Sequence, residues 1–270
     1  MDRNPQAREM ADESMVRNLA AQADAIWPQE QPIVARHHLP DAPDVLDVGC
    51  GTGEITSRLA AMFPRARLVG LDLLESHLAL ARERYAPVGD RLTFRQGDAF
   101  ELPFAARSFD LVVCRHLLQA VPAPEKILAE MVRVARPGAV LHVIPEDYDM
   151  IHAGPARLDI AGFWRDAPRA YERAAGIDLH IGTHVFAHLR RLPVEDIAID
   201  YVHVDPQRVP RATFAAIFEA WRDGYTESLA EHLGWPAAKV RDHFDATIEC
   251  IRDPERYALW VVPVVSARVR

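Results

Sequence analysis

A cluster of three glycines directly after a short apolar run is the feature of this sequence that most constrains its fold. Residues 45–48 (VLDV) are predicted to form a buried strand, and Gly49-Cys50-Gly51-Thr52-Gly53 follows without a spacer. Glycine permits positive φ angles and lets a ligand pass close to the backbone. The next segment, EITSRLAAMF, is predicted to be a helix that Pro64 ends. A strand, a glycine turn and a helix in this order predict a ligand-binding α/β unit.

Strands and helices alternate through the first half of the chain after this turn. Further strands are predicted at 67–71, 92–96, 111–114 and 140–144, with helices at 75–85 and 124–135. Strands separated by helices of this length favour a parallel sheet with right-handed crossovers and helices on both faces. The expected fold class is therefore α/β, a doubly wound, mostly parallel sheet of about seven strands.

The two ends of the chain add helices outside this alternation. Apolar residues recur at helical spacing over 6–26, and Pro28 is expected to end this helix beyond Trp27. After Ile144 the predicted elements are helices at about 157–175 and 182–192, a strand at 197–204, helices at about 211–233 and 236–252, and a last strand. We expect a helical lid over 1–40, a cofactor-binding core over 41–150, and a C-terminal half over 151–270 whose helical cover spans about 205–253.

The composition argues against several classes of partner. The net charge is −8, with 49% apolar and 26% charged residues, so no broad basic surface is available to neutralise a nucleic-acid backbone. No apolar run approaches the roughly 20 residues of a bilayer span, and the polar start MDRNPQAREMADES lacks the apolar core of a signal peptide. The three cysteines show no CxxC spacing, which indicates neither a disulfide framework nor a structural zinc site. We expect a soluble, cytoplasmic protein without a membrane or nucleic-acid partner.

The glycine turn and a later aspartate together indicate a nucleoside-bearing ligand. Asp72 ends the second strand, nineteen residues after Gly53, where a carboxylate can accept both hydroxyls of a ribose. A dinucleotide fingerprint would require glycine at position 54, which is Glu54. No Lys-Ser or Lys-Thr pair follows the glycines, so a P-loop is equally unsupported. A cofactor without a pyrophosphate fits this pattern better.

Three segments in order resemble one known family. VLDVGCGTG, LVGLDLLESHLALAR and FRQGDAFELPFAARSFDLVVCRHLLQAVPAPEKILAEMVRVARPGAVL are similar to the core of class I, Rossmann-like S-adenosylmethionine-dependent methyltransferases of small-molecule type. The resemblance covers about Val45 to Ile144. It implies S-adenosyl-L-methionine as cofactor, S-adenosyl-L-homocysteine as product, and methyl transfer to a small-molecule acceptor whose reacting atom (O, N or C) stays open.

The resemblance also implies which residues contact the cofactor. Asp72 would bind the ribose, Asp98 would accept the adenine amino group, and Arg115 would face the methionine end, chiefly through its backbone. Asp47 would support the glycine turn. The full set implied by position is Asp47, Gly49, Cys50, Gly51, Gly53, Asp72, Leu73, Asp98, Ala99, Phe100 and Arg115.

Acceptor chemistry is expected where polar residues follow the fourth and fifth strands. His116 lies at the end of the fourth strand, and a histidine there is suited to removing a proton at neutral pH. Glu146 and His152 belong to a polar cluster after the fifth strand and complete the predicted catalytic set. The residues predicted to line the acceptor pocket are Gln119, Tyr148, Trp164, His184 and Trp221.

Several alternatives stay open at this point. His180, His184 and His188 recur every four residues, but Gly182 interrupts the start of a helix there, and we expect no metal. The N-terminal helix, with Arg17, Gln22 and Trp27, is expected to close over the cofactor or simply to pack on the domain. Two rival functions are a cofactor-binding enzyme that catalyses a rearrangement without methyl transfer, and a degenerate methyltransferase that serves as a binding subunit.

Overall fold

The computed structural model describes residues 5, 6, 9 and 13–270. Its helices are α1 (Glu13–Ala35), α2 (Glu54–Met62), α3 (Glu75–Tyr85), α4 (Pro124–Val134), α5 (Ile160–Ala175), α6 (Ile181–Leu189), α7 (Arg211–Leu233) and α8 (Ala237–Arg252). Its strands are β1 (Asp44–Val48), β2 (Arg67–Asp72), β3 (Leu92–Gln96), β4 (Phe109–Arg115), β5 (Ala135–Ile144), β6 (Ile151–Gly154), β7 (Val194–Val204) and β8 (Tyr257–Val269).

One eight-stranded sheet organises the molecule. Its strand order is β3-β2-β1-β4-β5-β8-β6, and β7 also pairs with β8. Strands β1 to β5 are parallel, whereas β8 runs antiparallel to β5, β6 and β7. Val48 pairs with both Leu71 and Cys114, so the carboxyl ends of β1, β2 and β4 meet at one edge. The predicted doubly wound α/β fold is confirmed.

Helices cover both faces of the sheet because the parallel strands are apolar on both sides. On one face α2 packs through Leu59 against Val45 and Leu111, and on the other α4 packs through Met131 against Leu46. A third apolar cluster joins α1, α5, α7 and α8 to the first part of β8. These four helices stand beside the edge where the carboxyl ends of the parallel strands meet.

The N-terminal helix continues past the proline that was expected to end it. Helix α1 contains both Pro28 and Pro32 and ends at Ala35. Each proline removes one backbone donor, yet tertiary packing compensates for the lost hydrogen bonds, since Ile26 and Val34 are buried. Arg58 Nη1 donates to the carbonyl of Ala23, one turn before the first proline. The first part of the predicted helix, residues 7, 8 and 10–12, lies outside the described residues.

Two further boundaries differ from the prediction. Strand β5 starts at Ala135, directly after α4, although Pro137 and Gly138 were expected to separate the two elements. Residues 151–154, expected to be irregular, form β6 and pair with the first half of β8. A four-residue strand carries too little periodicity to be recognised from the sequence. Strand β6 forms because the long strand β8 offers free backbone groups with which residues 151–154 pair. None of the described helices has the length and apolar character needed to cross a membrane.

The turn after β1 is held from behind by a buried carboxyl group. Thr56 Oγ1, in the first turn of α2, donates to Asp47 Oδ2 at 2.7 Å, which ties strand to helix. At the start of α2, Gly53 has φ of 80°, and a Cβ there would lie 2.7 Å from the ring of Phe94. Burial raises the pKa of Asp47 from 3.8 to about 6, although the hydrogen bond from Thr56 opposes the rise.

Asp47→Asn is expected to change how stability depends on pH. A carboxyl whose pKa is higher in the folded state than in the unfolded state stabilises the fold below its unfolded pKa, and this contribution is lost as pH rises through the folded pKa. Between pH 4 and pH 7 the wild-type free energy of unfolding should therefore fall by about 2–3 kcal/mol relative to the variant. Urea unfolding over that range, with exposed Asp90→Asn as the control, measures the difference. The same dependence of the free energy of unfolding on pH in wild type and Asp47→Asn would contradict this prediction.

Candidate active site

A deep pocket lies at the carboxyl ends of β1, β2 and β4, under α1 and α7. Its volume is about 1000 Å³, counting the solvent at its mouth. The walls contain most of the residues that the sequence singled out: Gly49, Gly51, Asp72, Leu73, Asp98, Ala99, Phe100, Arg115, His116, Gln119, Glu146, Tyr148 and Trp221. The fold thus brings together residues that are up to 172 positions apart in the chain.

Asp72 holds the glycine turn against the end of β2. Its Oδ2 accepts from the backbone N–H of Gly51 at 2.8 Å, and its Oδ1 accepts from that of Leu74 at 2.9 Å. Each carboxylate oxygen has a second lone pair, so both can also accept from a ligand. Gly51 has φ of 54°, and a Cβ there would lie 2.7 Å from Leu19 Cδ1 of α1. The turn is therefore fixed by Asp72 on one side and covered by α1 on the other.

Asp98 shapes the opposite wall of the pocket. Its Oδ1 accepts from the backbone N–H of Phe100 at 2.8 Å, which closes a tight turn after β3. This turn places the backbone of Ala99 and the ring of Phe100 at the pocket surface. An aspartate and an apolar ring on one wall suit a planar, nitrogen-rich group.

A buried ion pair lies at the deep end of the pocket. Arg115 Nη2 lies 3.0 Å from Glu30 Oε2, and both side chains are less than a tenth exposed. His142 Nε2 lies 3.1 Å from Glu30 Oε1, and His37 Nε2 lies 3.0 Å from His142 Nδ1. Burial raises the pKa of Glu30, but the charge of Arg115 and the hydrogen bond with His142 outweigh it and lower the pKa. Glu30 is therefore ionised and supports the guanidinium from the side away from the pocket.

His116 and Glu146 form a close polar pair beside this guanidinium. His116 Nδ1 lies 2.7 Å from Glu146 Oε1, and both side chains are nearly inaccessible to solvent. Gln22 Nε2 of α1 donates to the same Glu146 oxygen at 3.2 Å. His116 has φ of 53°, a left-handed conformation that is uncommon outside glycine and concentrates at functional sites. Its Nε2 has no hydrogen-bond partner among the described residues.

The pocket holds an unusual concentration of unpaired polar atoms. Within the described part of the chain, a buried side-chain nitrogen or oxygen without a hydrogen-bond partner occurs in each of six lining residues: Asn18, His77, Arg115, His116, Gln119 and Glu146. Buried polar atoms are nearly always paired in folded proteins. The pocket therefore offers several hydrogen-bonding groups that are available to a polar ligand.

Two expected acceptor residues lie away from the pocket. His152 is exposed on β6, where it pairs with Leu259. His184 is 58% exposed, and its Nδ1 lies 2.7 Å from Asp178 Oδ2, over a separate surface depression. His152 was placed in a loop because β6 was not recognised, whereas it alternates outward along a strand. Neither histidine is among the residues that line the pocket.

Four other expected residues stand behind or beside the pocket wall. Asp47 faces Thr56 and Gly53 begins α2, as described above, and neither lines the main pocket. The Cys50 side chain lies against β2, since a Cβ on Gly70 would be 2.8 Å from its Sγ. Trp164 lines a neighbouring cavity, and its Nε1 donates to Thr247 Oγ1 at 3.1 Å. Asp47 and Cys50 line a smaller cavity, which shares Gly49, Arg115 and His116 with the main pocket.

The predicted row of histidines does not form a continuous helix face. Helix α6 begins at Ile181, so His180 precedes its first turn. Glu172, Asp178 and His180 lie close enough to share a cation, with ligand atoms within 4.8 Å of one another. His180 Nδ1 lies 2.6 Å from Glu172 Oε1, however, and its backbone N–H donates to Asp178 Oδ1. These hydrogen bonds tie the three residues to one another.

The polar face that α1 turns toward the protein was predicted only in part, through Gln22. Ser14, Asn18 and Gln22 are spaced by four residues and are all buried, and Glu30 continues this buried polar set. The spacing of four is a usable signal, because such residues share one helix face. Ser14, Asn18 and Glu30 were not among the residues predicted for the site.

Comparison with known proteins identifies a domain within this fold. Residues 46–143 match the family described as a methyltransferase domain. The trans-aconitate 2-methyltransferase of Deinococcus radiodurans is 41% identical over 114 residues, which cover 41% of this chain and 42% of that protein. The 27-O-demethylrifamycin SV methyltransferase of Amycolatopsis mediterranei is 29% identical over 192 residues, covering 70% and 65%. The chain spans less than half the length of the first curated relatives that it matches.

The fold is shared over a longer stretch than the sequence. Phosphoethanolamine N-methyltransferase 2 of Haemonchus contortus, solved with phosphomonomethylethanolamine and S-adenosylhomocysteine, superposes with a TM-score of 0.61 at 19% identity. The superposition covers 99% of this chain and 59% of that one. The chain therefore contains a methyltransferase domain over residues 46–143, and the superposition shows that it shares the fold of that enzyme over nearly its whole length.

Proposed function

We propose that this protein transfers a methyl group from S-adenosylmethionine to a small-molecule acceptor that loses a proton as it is methylated. The observation that carries the proposal is the buried pair of His116 and Glu146 at the pocket, with Nε2 of the histidine unpaired among the described residues. A histidine oriented by a carboxylate through one nitrogen and free at the other is arranged as a general base. The names of the curated relatives support a small-molecule acceptor.

The residues around the pocket fit the cofactor from end to end. Asp72 offers unused lone pairs to the ribose hydroxyls, and Asp98 with Phe100 offers a wall for adenine. The glycine turn leaves room for close backbone contact. Arg115 supplies the buried, partly unpaired cation that the methionine carboxylate requires. We therefore assign the guanidinium itself, and not only the backbone of Arg115, to the methionine end.

The chain contributes to the reaction by positioning groups and accepting a proton. When bound, the cofactor supplies a sulfonium methyl whose C–S bond breaks, with its electron pair kept by sulfur, as the new bond to the acceptor forms. His116 Nε2 accepts the proton that the acceptor loses, and Glu146 stabilises the imidazolium that results. Helices α1 and α7 cover the pocket, which excludes water and holds the acceptor in line with the methyl group.

We also propose a cytoplasmic location and no nucleic-acid partner. Cys50, Cys114 and Cys250 are all free and buried, as is usual in a reducing compartment. The net charge of −8 works against binding a phosphate backbone. In the same proposal, residues 1–40 and about 205–253 serve as covers of the central domain.

Asp72→Ala is expected to weaken binding of S-adenosylmethionine and S-adenosylhomocysteine by roughly 10- to 100-fold, because hydrogen bonds to a charged acceptor are lost. Isothermal titration calorimetry measures this effect directly. Since Asp72 also fixes the glycine turn, circular dichroism must first show that the variant is folded. Asp90→Asn, a change of an exposed aspartate elsewhere, should leave both affinities unaltered. No binding of either compound by folded wild type would refute the proposal and favour a scaffold role.

Replacing Arg115 should affect only ligands that carry the methionine end. Arg115→Met is expected to lower the affinity for S-adenosylhomocysteine at least about tenfold, the scale of one charge-assisted hydrogen bond, and to leave the affinity for 5′-methylthioadenosine unchanged. Asp72→Ala should instead lower the affinity for both compounds. Arg115→Met leaves Glu30 in the interior without its charged partner. The double variant Arg115→Met, Glu30→Gln therefore provides a control with no unpaired buried charge. Equal losses for the two ligands would show that Arg115 does not contact the methionine end.

His116→Asn should impair transfer without impairing cofactor binding. Asparagine tolerates the positive φ at this position, and loss of a general base typically lowers kcat by roughly 10²- to 10⁴-fold. Transfer of label from the cofactor methyl to an acceptor found in a metabolite screen gives kcat, and calorimetry gives the cofactor affinity. An unchanged kcat would remove His116 from the mechanism. Product that contains no label would instead support a rearrangement.

A further inference from the structure

A second cavity adjoins the candidate active site on the side of α5 and α7. Its volume is about 430 Å³, again with the solvent at its mouth included. The main pocket shares four lining residues with this cavity, Gln6, Tyr148, Trp221 and Tyr225, so one molecule can occupy both. The remaining described walls come from Trp164, Ala167, Pro168, Tyr171, Leu179, Leu229 and Phe244. We call this space the aromatic cavity.

The aromatic cavity is apolar, and the groups that line it are neutral. Among the described residues of its walls there is no lysine, arginine, histidine, aspartate or glutamate. Burial raises the pKa values of Tyr148, Tyr171 and Tyr225, so these phenols keep their protons at neutral pH. Trp164 Nε1 is already bonded to Thr247. The cavity therefore offers ring surfaces, a few phenol groups and the amide of Gln6, and no described residue in it is charged.

The rings extend without interruption from the proposed base to the aromatic cavity. The ring of His116 lies 6.2 Å from that of Trp260, Trp260 lies 5.3 Å from Trp221, and Trp221 lies 5.5 Å from Tyr148. On the far side, Tyr171 and Tyr225 pack edge to face at 6.1 Å. Two indole rings, those of Trp260 and Trp221, thus connect the ring of His116 to Tyr148 on the wall of the aromatic cavity.

The charge distribution disfavours ionic occupants of this cavity. Arg115, the cation of the main pocket, is paired with Glu30 and assigned to the cofactor, so it is not available to an acidic arm. Glu146 is engaged by His116 and Gln22 and does not line the cavity. Glu9, whose charge contributes to the raised pKa values of Tyr171 and Tyr225, does not line it either. Burying a carboxylate among these rings would be costly, and a cation would find no described carboxylate on the cavity wall to pair with.

We propose that the acceptor carries an uncharged, flat apolar arm, of the size of an aryl substituent, that lies in the aromatic cavity while the proton-losing group faces His116. This inference rests on the proposed function for the position of the reacting group, but the arm site follows from the cavity itself. Stacking and edge contacts with Trp164, Trp221 and Tyr148 would bind the arm. Specificity then comes from the arm rather than from an ionic contact.

Binding of matched probes to the full chain tests the proposal without the natural acceptor. Calorimetry with and without saturating S-adenosylhomocysteine would compare phenol, 4-phenylphenol, biphenyl-4-carboxylate and 4-biphenylyl-trimethylammonium. We expect 4-phenylphenol to bind roughly tenfold or more tightly than phenol, because the second ring becomes buried, and also more tightly than either ion. Tightest binding of the carboxylate or of the ammonium, or equal binding of phenol and 4-phenylphenol, would overturn the proposal.

Leu229→Trp provides the structural control, because Leu229 lines the aromatic cavity but not the main pocket. The added ring should abolish the preference for 4-phenylphenol while the affinity for S-adenosylhomocysteine stays within about twofold of wild type. Tyr201→Ala, on an exposed part of β7, should leave the preference for 4-phenylphenol and the affinity for S-adenosylhomocysteine unchanged. If Leu229→Trp does not fold, the wild-type comparison of the four probes still decides. A retained preference without any methyl transfer would refute the proposed function alone, whereas transfer without the preference would refute the arm site alone.

Discussion

The ion pair between Glu30 and Arg115 is the constraint on which the arrangement of the site depends. Two charges buried this deeply are tolerated only when each has a partner, so α1 must dock with Glu30 at the end of β4. When α1 docks in this position, Leu19 also contacts the glycine turn and Gln22 donates a hydrogen bond to Glu146. A helix outside the parallel core thereby fixes the cofactor loop and the proposed base together, which a purely apolar interface would specify less sharply.

The central fold and the cofactor wall could be predicted because their determinants are local. The glycine turn, Asp72 and Asp98 each follow a strand end, and parallel topology brings strand ends to one edge whatever the rest of the chain does. His116 was found by the same rule, since it directly follows β4. Residues that lie at strand ends can thus be placed in the structure from the sequence alone.

The remaining features were set by contacts between distant parts of the chain. Pro28 does not end α1 because packing against the sheet outweighs the lost hydrogen bond, and His152 faces solvent because β8 recruits residues 151–154 as a strand. Glu30 has no local signature either, as its partner Arg115 is 85 residues away. A single sequence does not reveal such pairings, since nothing in the local pattern of either residue requires the other.

The two cavities differ in polarity and therefore suit different parts of a ligand. The main pocket concentrates unpaired polar atoms, so its ligand is selected by hydrogen bonds and by one cation, interactions that also fix orientation for in-line transfer. The aromatic cavity offers neutral rings, which select by shape and area and tolerate variation in the bound group. Joining the two across Trp221 lets the reacting group be held precisely while the rest of the acceptor is held by burial alone. An enzyme built this way gains substrate range by changing α5 and α7 without disturbing the charges that the cofactor needs.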